Sequence, residues 1–412
     1  MNLYEESAAI NHIKSLNFTR YAATEGESKA INYIRKQLDK DNIEVKVESF
    51  EWSKSFSNLR KLIFLWIFIF ILGSEILLLF LDFTWLIIPL DCLFFLVLIL
   101  VSKYFFDYSG SIFFGKKRES KNIITTIQAK NLYPKRPVII FSAHYDSVSN
   151  NVPYKMLKRL LLSGLFLLFS HIIINLVLSI WSIIILLSII QIEIFYFWMK
   201  LISLIIGIIL LIEIVTLFFM KVVSISLGAI DNASGVAILI ELAKLIKKYP
   251  LEKIDVIFLW CGAGKVGLCG SKNYCSKHFE ELDYIYNLNK SYNINIDMVG
   301  TYVGLIDETG LIKKKKLNKN LNDVLKLSDA QHKIPSEKTN MSFGSGSDHS
   351  VFQAFTKKFD KRGFQVACFS SEKDLKFIHS KKDILELSSA ENLNGCIDVC
   401  YNAIRSLDSR VE

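Results

Sequence analysis

Cysteine is scarce in this sequence, with seven residues at scattered spacings along 412 positions. An odd number without a repeated spacing argues against a disulfide framework and fits a reducing compartment, where thiols stay free. An arginine-rich stripe is also missing, and a net charge of +9 is modest for this length. No nucleic-acid partner is expected. The opening run Met1-Asn-Leu-Tyr-Glu-Glu lacks the basic, apolar, small-residue order of a cleaved signal peptide.

Apolar sequence is what the chain has in excess, 51% of its residues, and it is concentrated in two blocks, Leu62–Val101 and Leu160–Met220. A spanning helix needs about 20 apolar residues, so the first block predicts two membrane helices turning near Asp82-Phe83-Thr84. The second block has the length of three spans, but two long or tilted helices are expected, with an interfacial segment around Gln191–Lys200. The reason is parity: if His144 and Asp231, on either side of the block, serve one site, the chain must return to the side it left. Lys54, Arg60, Lys61, Lys103, Lys116, Lys117 and Arg118 bracket the first block, and Lys155, Lys158, Arg159 and Lys221 the second. By the positive-inside rule the expectation is an integral protein of the cell membrane, the lipid bilayer its partner, with globular part and N-terminus cytoplasmic. Charged groups inside a span are functional candidates by default. Glu75, Asp91, His171 and Glu213 are nevertheless expected to lie near the outer interface and reach water.

Outside the inserts 57–118 and 152–227, the segments 1–56, 119–151 and 228–412 amount to about one large domain. Lys29–Asp39 and Gly235–Lys247 carry helical apolar periodicity. Ile43–Phe50, Asn122–Gln128, Val138–Ser142, Asp255–Trp260 and Tyr292–Ile296 read as strands. The alternation predicts an α/β fold with a mostly parallel central sheet covered by helices on both faces. In such sheets the carboxyl ends of strands form the site. Three of those ends carry candidate ligands: Phe141-Ser-Ala-His144-Tyr-Asp146, Gly228-Ala-Ile-Asp231-Asn-Ala-Ser-Gly235 and Asn295-Ile-Asp297. A fourth stretch, Phe377-Ile-His379-Ser-Lys-Lys-Asp383, follows far downstream.

With these motifs in this order, and with Arg20-Tyr-Ala-Ala-Thr-Glu-Gly-Glu before and Ser347-Asp348-His349 after, the chain resembles the zinc-dependent aminopeptidase family typified by bacterial leucyl aminopeptidases. Glutaminyl cyclase and glutamate carboxypeptidase are more distant relatives. The resemblance implies a three-layer zinc-aminopeptidase-like domain, although the apolar inserts are not part of the usual pattern. It implies that Asp231 bridges two zinc ions and that His144 and Asp297 complete one metal site. It further implies that Asp146 orients the His144 imidazole, that His379 serves the other site with a glutamate, and that Asp348 and His349 line the substrate side.

One stretch departs from the family. Where relatives read Gly-Ala-Glu-Glu-x-Gly-Leu-x-Gly-Ser, this chain reads Gly262-Ala263-Gly264-Lys265-Val266-Gly267-Leu268-Cys269-Gly270-Ser271. Gly264 stands where the resemblance puts the general base, and Lys265 where it puts a ligand of the second metal. A protonated lysine cannot bind metal. Its ammonium could instead sit beside Asp231 and supply the charge of the missing ion, or it could point to solvent with the pocket empty. One zinc ion or none is therefore expected, not two. Three functions stay open: a metallopeptidase acting on N-terminal peptide bonds with impaired activity, a non-catalytic pseudopeptidase holding a peptide or protein ligand at the membrane, and a transport or scaffold component.

Overall fold

The structure is a computed structural model and describes residues 8–79, 84–105, 115–186, 193–310, 314–329, 336–338, 346–358 and 364–411. The chain divides into two compact units. The first takes in Met1–Lys54, Tyr108–Tyr154 and Val222–Glu412, the second Ser55–Asp107 and Lys155–Lys221. In chain order the strands are β1 (Lys46–Ser53), β2 (Lys117–Ile127), β3 (Val138–His144), β4 (Ser149–Asn150), β5 (Val222–Val223), β6 (Asp255–Cys261), β7 (Tyr292–Ile296), β8 (Leu305–Thr309), β9 (Lys315–Lys316), β10 (Ser336–Lys338) and β11 (Gln365–Phe369). The helices of the first unit are α1 (Ala8–Ser15), α2 (Glu25–Asp39), α7 (Ser234–Lys248), α8 (Cys269–Ile285), α9 (Leu321–Leu327), α10 (Asp348–Lys358) and α11 (Ala390–Ser409). Those of the second are α3 (Ser55–Leu79), α4 (Ile87–Phe105), α5 (Tyr154–Leu186) and α6 (Glu193–Phe218).

Every residue of β3 and of β6 is buried, because both faces of these central strands are covered. Phe141 of β3 and Val256, Phe258 and Trp260 of β6 pack with α1, α2, α7 and α11 on one face. Ile140 of β3 and Ile257 and Leu259 of β6 pack with α8 and α10 on the other. The period of two that sorts these side chains is the pleat itself. The result is a helix–sheet–helix sandwich.

The sheet runs β1-β2-β6-β3-β7-β11-β8-β10, with β9 on β8. Its four central strands, β6, β3, β7 and β11, are mutually parallel. The expectation of a mostly parallel sheet is corrected to a mixed one: β1 on β2, β2 on β6, β11 on β8 and β8 on β9 are antiparallel. Apolar runs report burial, and burial does not fix strand direction. Register decides where the candidate ligands go. His144 lies opposite Cys261, Ser142 opposite Asn295, and Phe369 opposite Ile296. The carboxyl ends of the four strands therefore open at one edge of the sheet.

In the second unit all four helices are long and apolar enough to cross a membrane, with mean hydropathy of 2.7, 2.6, 2.3 and 2.9 in chain order. Each block supplies two of them. Only 22–33% of these segments is buried within the protein, and Phe166, Ile194 and Ile212 are each more than 60% exposed. Asp82 and Phe83 of the expected first turn lie outside the described residues, and Thr84 opens a short 3-10 turn, Thr84–Leu86. Of the expected interfacial stretch, Gln191 and Ile192 lie outside the described residues, and the rest forms the start of α6. One expectation is overturned. Glu75, Asp91 and His171 are 7%, 6% and 0% exposed, so they face the interior of the helical unit and do not reach water. Hydropathy locates a residue along a helix but not around it. Glu213 is half-buried and accepts a hydrogen bond from Ser163 Oγ at 2.8 Å.

Candidate metal centre

Asp231 stands in the bend Ala229–Ala233 that leads into α7. Gly228, just before it, adopts φ +62°, a left-handed conformation that glycine takes without strain. A Cβ there would also lie 2.6 Å from that of Ser147. Arg20, fully buried, donates to the carbonyls of Leu227 at 2.7 Å and Gly228 at 2.9 Å. The carboxylate of Asp383 accepts from the backbone N–H of Ile230 at 2.7 Å and of Asp231 at 3.3 Å. Burial, and then the charge of Asp231, push the Asp383 carboxyl up to about 7.

The rest of the Asp-Asn-Ala-Ser-Gly motif ties this bend to the end of β7. Asn232 donates to the Ile296 carbonyl at 2.8 Å and accepts from Met298 N at 3.2 Å. Ser234 accepts from Val299 N at 3.1 Å. Gly235 packs so closely that a Cβ would lie 2.5 Å from both Asn232 Oδ1 and the Ile296 carbonyl. The motif thus fixes Asp231 relative to Asp297, which follows β7. Arg20, Asp383, Asn232 and Ser234 all stood in motifs quoted from the sequence, but their buried hydrogen bonds carry no periodic signal that would have given them roles.

The four sequence candidates converge on Asp231. His144 Nε2 is 3.2 Å from Asp231 Oδ1 and 3.4 Å from Asp297 Oδ1. His379 Nε2 is 3.1 Å from the other oxygen, Asp231 Oδ2, and its ring stands edge-on to Tyr154 at 5.6 Å. Zinc bound tetrahedrally at about 2.0–2.2 Å needs donors roughly 3.3 Å apart. The two contacts of His144 have that spacing, and the ligand atoms of His144, Asp231 and Asp297, all within 4.8 Å of one another, together could hold one ion. His144 Nε2 and Asp297 Oδ1 are moreover buried without hydrogen-bond partners, which is costly for polar atoms unless something else engages them, whereas Asp231 Oδ1 is also met by an ammonium.

Around the second oxygen the donor set is incomplete. Lys265 does not point to solvent: its Nζ lies 2.7 Å from Asp231 Oδ1, with 15% of the side chain exposed. Burial opposes its charge, but Asp231 and Asp297 outweigh burial and hold the ammonium well above its ordinary pKa. His379 and Asp231 Oδ2 are left with no third donor from Lys265.

Asp146 contacts the His144 imidazole through its backbone. The main-chain oxygen lies 3.0 Å from Nδ1 and the nearer carboxylate oxygen 3.5 Å. The carboxylate instead accepts from the N–H of Gly264 at 2.8 Å and of Lys265 at 2.9 Å. That grip holds Gly264 against the ligand histidine, so that a Cβ on Gly264 would lie 2.6 Å from His144 Cβ. Asp348 and His349 open α10, both buried. Burial raises the Asp348 carboxyl above its ordinary value and pushes His349 down to about 4. Among the described residues neither is ion-paired to Asp231.

The pocket balances its own charge. Burial and the nearby ammonium oppose protonation of His144, but its contacts with Asp146, Asp231 and Asp297 outweigh them and raise it well above its ordinary pKa. In the metal-free chain a protonated His144 and Lys265 therefore face the anionic Asp231 and Asp297. A metal ion bound here displaces the proton on His144 Nε2.

The profile of peptidase family M28 matches residues 217–404, a stretch holding Asp231, Lys265, Asp297 and His379. Aminopeptidase YwaD of Bacillus subtilis (strain 168) is 30% identical over 179 residues, which is 43% of this chain and 37% of that protein. The chain thus spans little more than a third of that curated relative's length. Among solved structures, an aminopeptidase from Aneurinibacillus sp. strain AM-1 superposes with a TM-score of 0.55 at 16% identity, covering 97% of this chain and 93% of the other. BSAP, a zinc aminopeptidase from Bacillus subtilis, gives 0.52 at 15% identity over 99% and 97%. At that identity the superpositions speak to the fold, a zinc-aminopeptidase-like α/β fold, while residues 217–404 carry the similarity to peptidase family M28.

Proposed function

We propose that this chain is a membrane-anchored M28 protein that has lost efficient peptide hydrolysis and uses its pocket to hold a peptide end or a protein partner. The observation that carries this reading is Lys265 Nζ at 2.7 Å from Asp231 Oδ1, beside a Gly264 with no side chain to move a proton. Zinc, where bound, would be held by His144, Asp231 and Asp297, and would supply a polarising charge for a carbonyl oxygen. The protein's own groups then fix the geometry. Asp383 and Arg20 hold the Asp231 bend, and the Asp146 backbone oxygen holds the imidazole. No carboxylate takes the place that Glu has in the family pattern, and loss of a general base costs about 10²–10⁴ in rate. The Lys265 ammonium suits an anionic ligand group better than the amino end of a peptide, because it is a fixed positive charge beside the metal position.

Metal content tests the pocket. Purified chain, dialysed without chelator and analysed by plasma mass spectrometry, is expected to hold at most one zinc per chain. Two tightly bound ions would sink the proposal.

Anchoring is supported by the four apolar helices and by the lysine and arginine residues at their ends, which by the positive-inside rule favour a cytoplasmic side for the α/β domain. After alkaline carbonate extraction the full chain is expected to stay in the membrane pellet. Its release into the supernatant would refute anchoring while leaving the pocket reading intact.

A further inference from the structure

Six residues from three helices meet inside the helical unit: Ser74 and Glu75 on α3, His171 and Asn175 on α5, Ser203 and Gly207 on α6. Ser74, His171, Asn175 and Ser203 are fully buried, and Glu75 is 7% exposed. Ser74 Oγ and Asn175 Nδ2 each lie 3.0 Å from His171 Nε2. Ser203 Oγ donates to Asn175 Oδ1 at 2.6 Å. An amide nitrogen only donates, so Nε2 accepts, and the neutral imidazole carries its proton on Nδ1. That nitrogen faces Ser203 Oγ at 3.4 Å and Glu75 Oε1 at 3.7 Å.

The Glu75 carboxyl stands apart in this cluster: both of its oxygens are buried without a hydrogen bond, His171 Nδ1 coming no nearer than 3.7 Å. Among the described residues no lysine or arginine pairs with it. Room for it has nonetheless been made: a Cβ at Gly207 would lie 2.5 Å from Glu75 Oε1. A bare carboxylate stripped of water costs several kcal/mol, so the site calls for a positive charge that the chain does not supply. One imidazole and one carboxylate are too few anionic donors for a divalent ion, which would leave net charge in the apolar interior. A monocation leaves the site neutral.

We propose that Glu75 binds a small monocation, a proton or an alkali ion, with Ser203 and Asn175 as neutral oxygen neighbours and His171 as the opposing wall. The site extends the membrane reading given above, because ionisable groups kept inside spanning helices mark ion or proton pathways. Its test in detergent does not depend on that reading.

The test uses a hydrophobic carbodiimide, which reacts with protonated carboxyls in apolar surroundings. The full chain in detergent is treated across a range of pH, with sodium chloride or with choline chloride, and adducts are mapped by peptide mass. The expected result is an adduct at Glu75 that is absent in Glu75→Gln, a variant of the same shape that elutes and melts as the parent does. If the ligand is a proton alone, labelling falls with rising pH by up to about tenfold per unit and ignores sodium. If the ligand is an alkali ion, sodium slows labelling at fixed pH and choline does not. The proposal is overturned if Glu75 stays unlabelled while Asp91 is modified, or if its labelling responds to neither pH nor sodium.

Discussion

Replacing both departures at once, in a Gly264→Glu/Lys265→Glu variant, is expected to raise zinc-dependent aminoacyl-amide hydrolysis about 10²-fold over the native chain. That is the lower end of the range that a positioned general base supplies. The lower end is expected because a Cβ at 264 would lie 2.6 Å from His144 Cβ, so the loop must move before a glutamate fits. Asp146 resists that movement through its two backbone hydrogen bonds to residues 264 and 265. Lys265→Glu alone restores a metal ligand without touching the packed glycine. It is expected to raise bound zinc by one ion per chain with little gain in turnover. Native chain and double variant hydrolysing the substrate equally fast would mean that the base lies elsewhere.

Lys265→Met tests the charge balance directly. It leaves Asp231 and Asp297 with one cationic partner fewer in a buried pocket, and breaking a buried ion pair by removing one partner costs about 3–5 kcal/mol. The chelator-treated variant is expected to lose stability by that amount in denaturant titrations. Saturating zinc is expected to restore most of it, because a divalent ion replaces the ammonium charge. Lys265→Arg keeps the charge and serves as the control. A chelator-treated Lys265→Met chain as stable as the native one would show that the ammonium is not what balances these carboxylates.

The central strands were legible in the sequence because Val138–Ser142 and Asp255–Trp260 are unbroken apolar runs, and only a strand covered on both faces tolerates that. The antiparallel edges were not, since β1 and β2 show the same alternation whichever way they run. Register did the rest of the work at the site: placing His144 opposite Cys261 brings Gly264 and Lys265 next to it without any signal in their own composition. The identity of the imidazole's acceptor was out of reach for a different reason. Asp146 offers a carboxylate and a carbonyl to the same neighbour, and residue type cannot say which one turns inward. Nor could hydropathy rank Glu75 above Glu213, because the packing of Gly207 and Ser203 around a carboxyl depends on which helices are neighbours.

α5 is 33 residues long, and its apolar part from Leu160 onward spans about 40 Å at 1.5 Å per residue. A hydrocarbon layer of about 30 Å accommodates that length only if the helix leans by about 40° or the lipid thickens around it. On the membrane reading proposed above, the elastic state of the surrounding lipid would bear on the same helix that carries His171. Thin and thick bilayers would set different inclinations, so occupancy at Glu75 should shift with acyl-chain length when the protein is reconstituted.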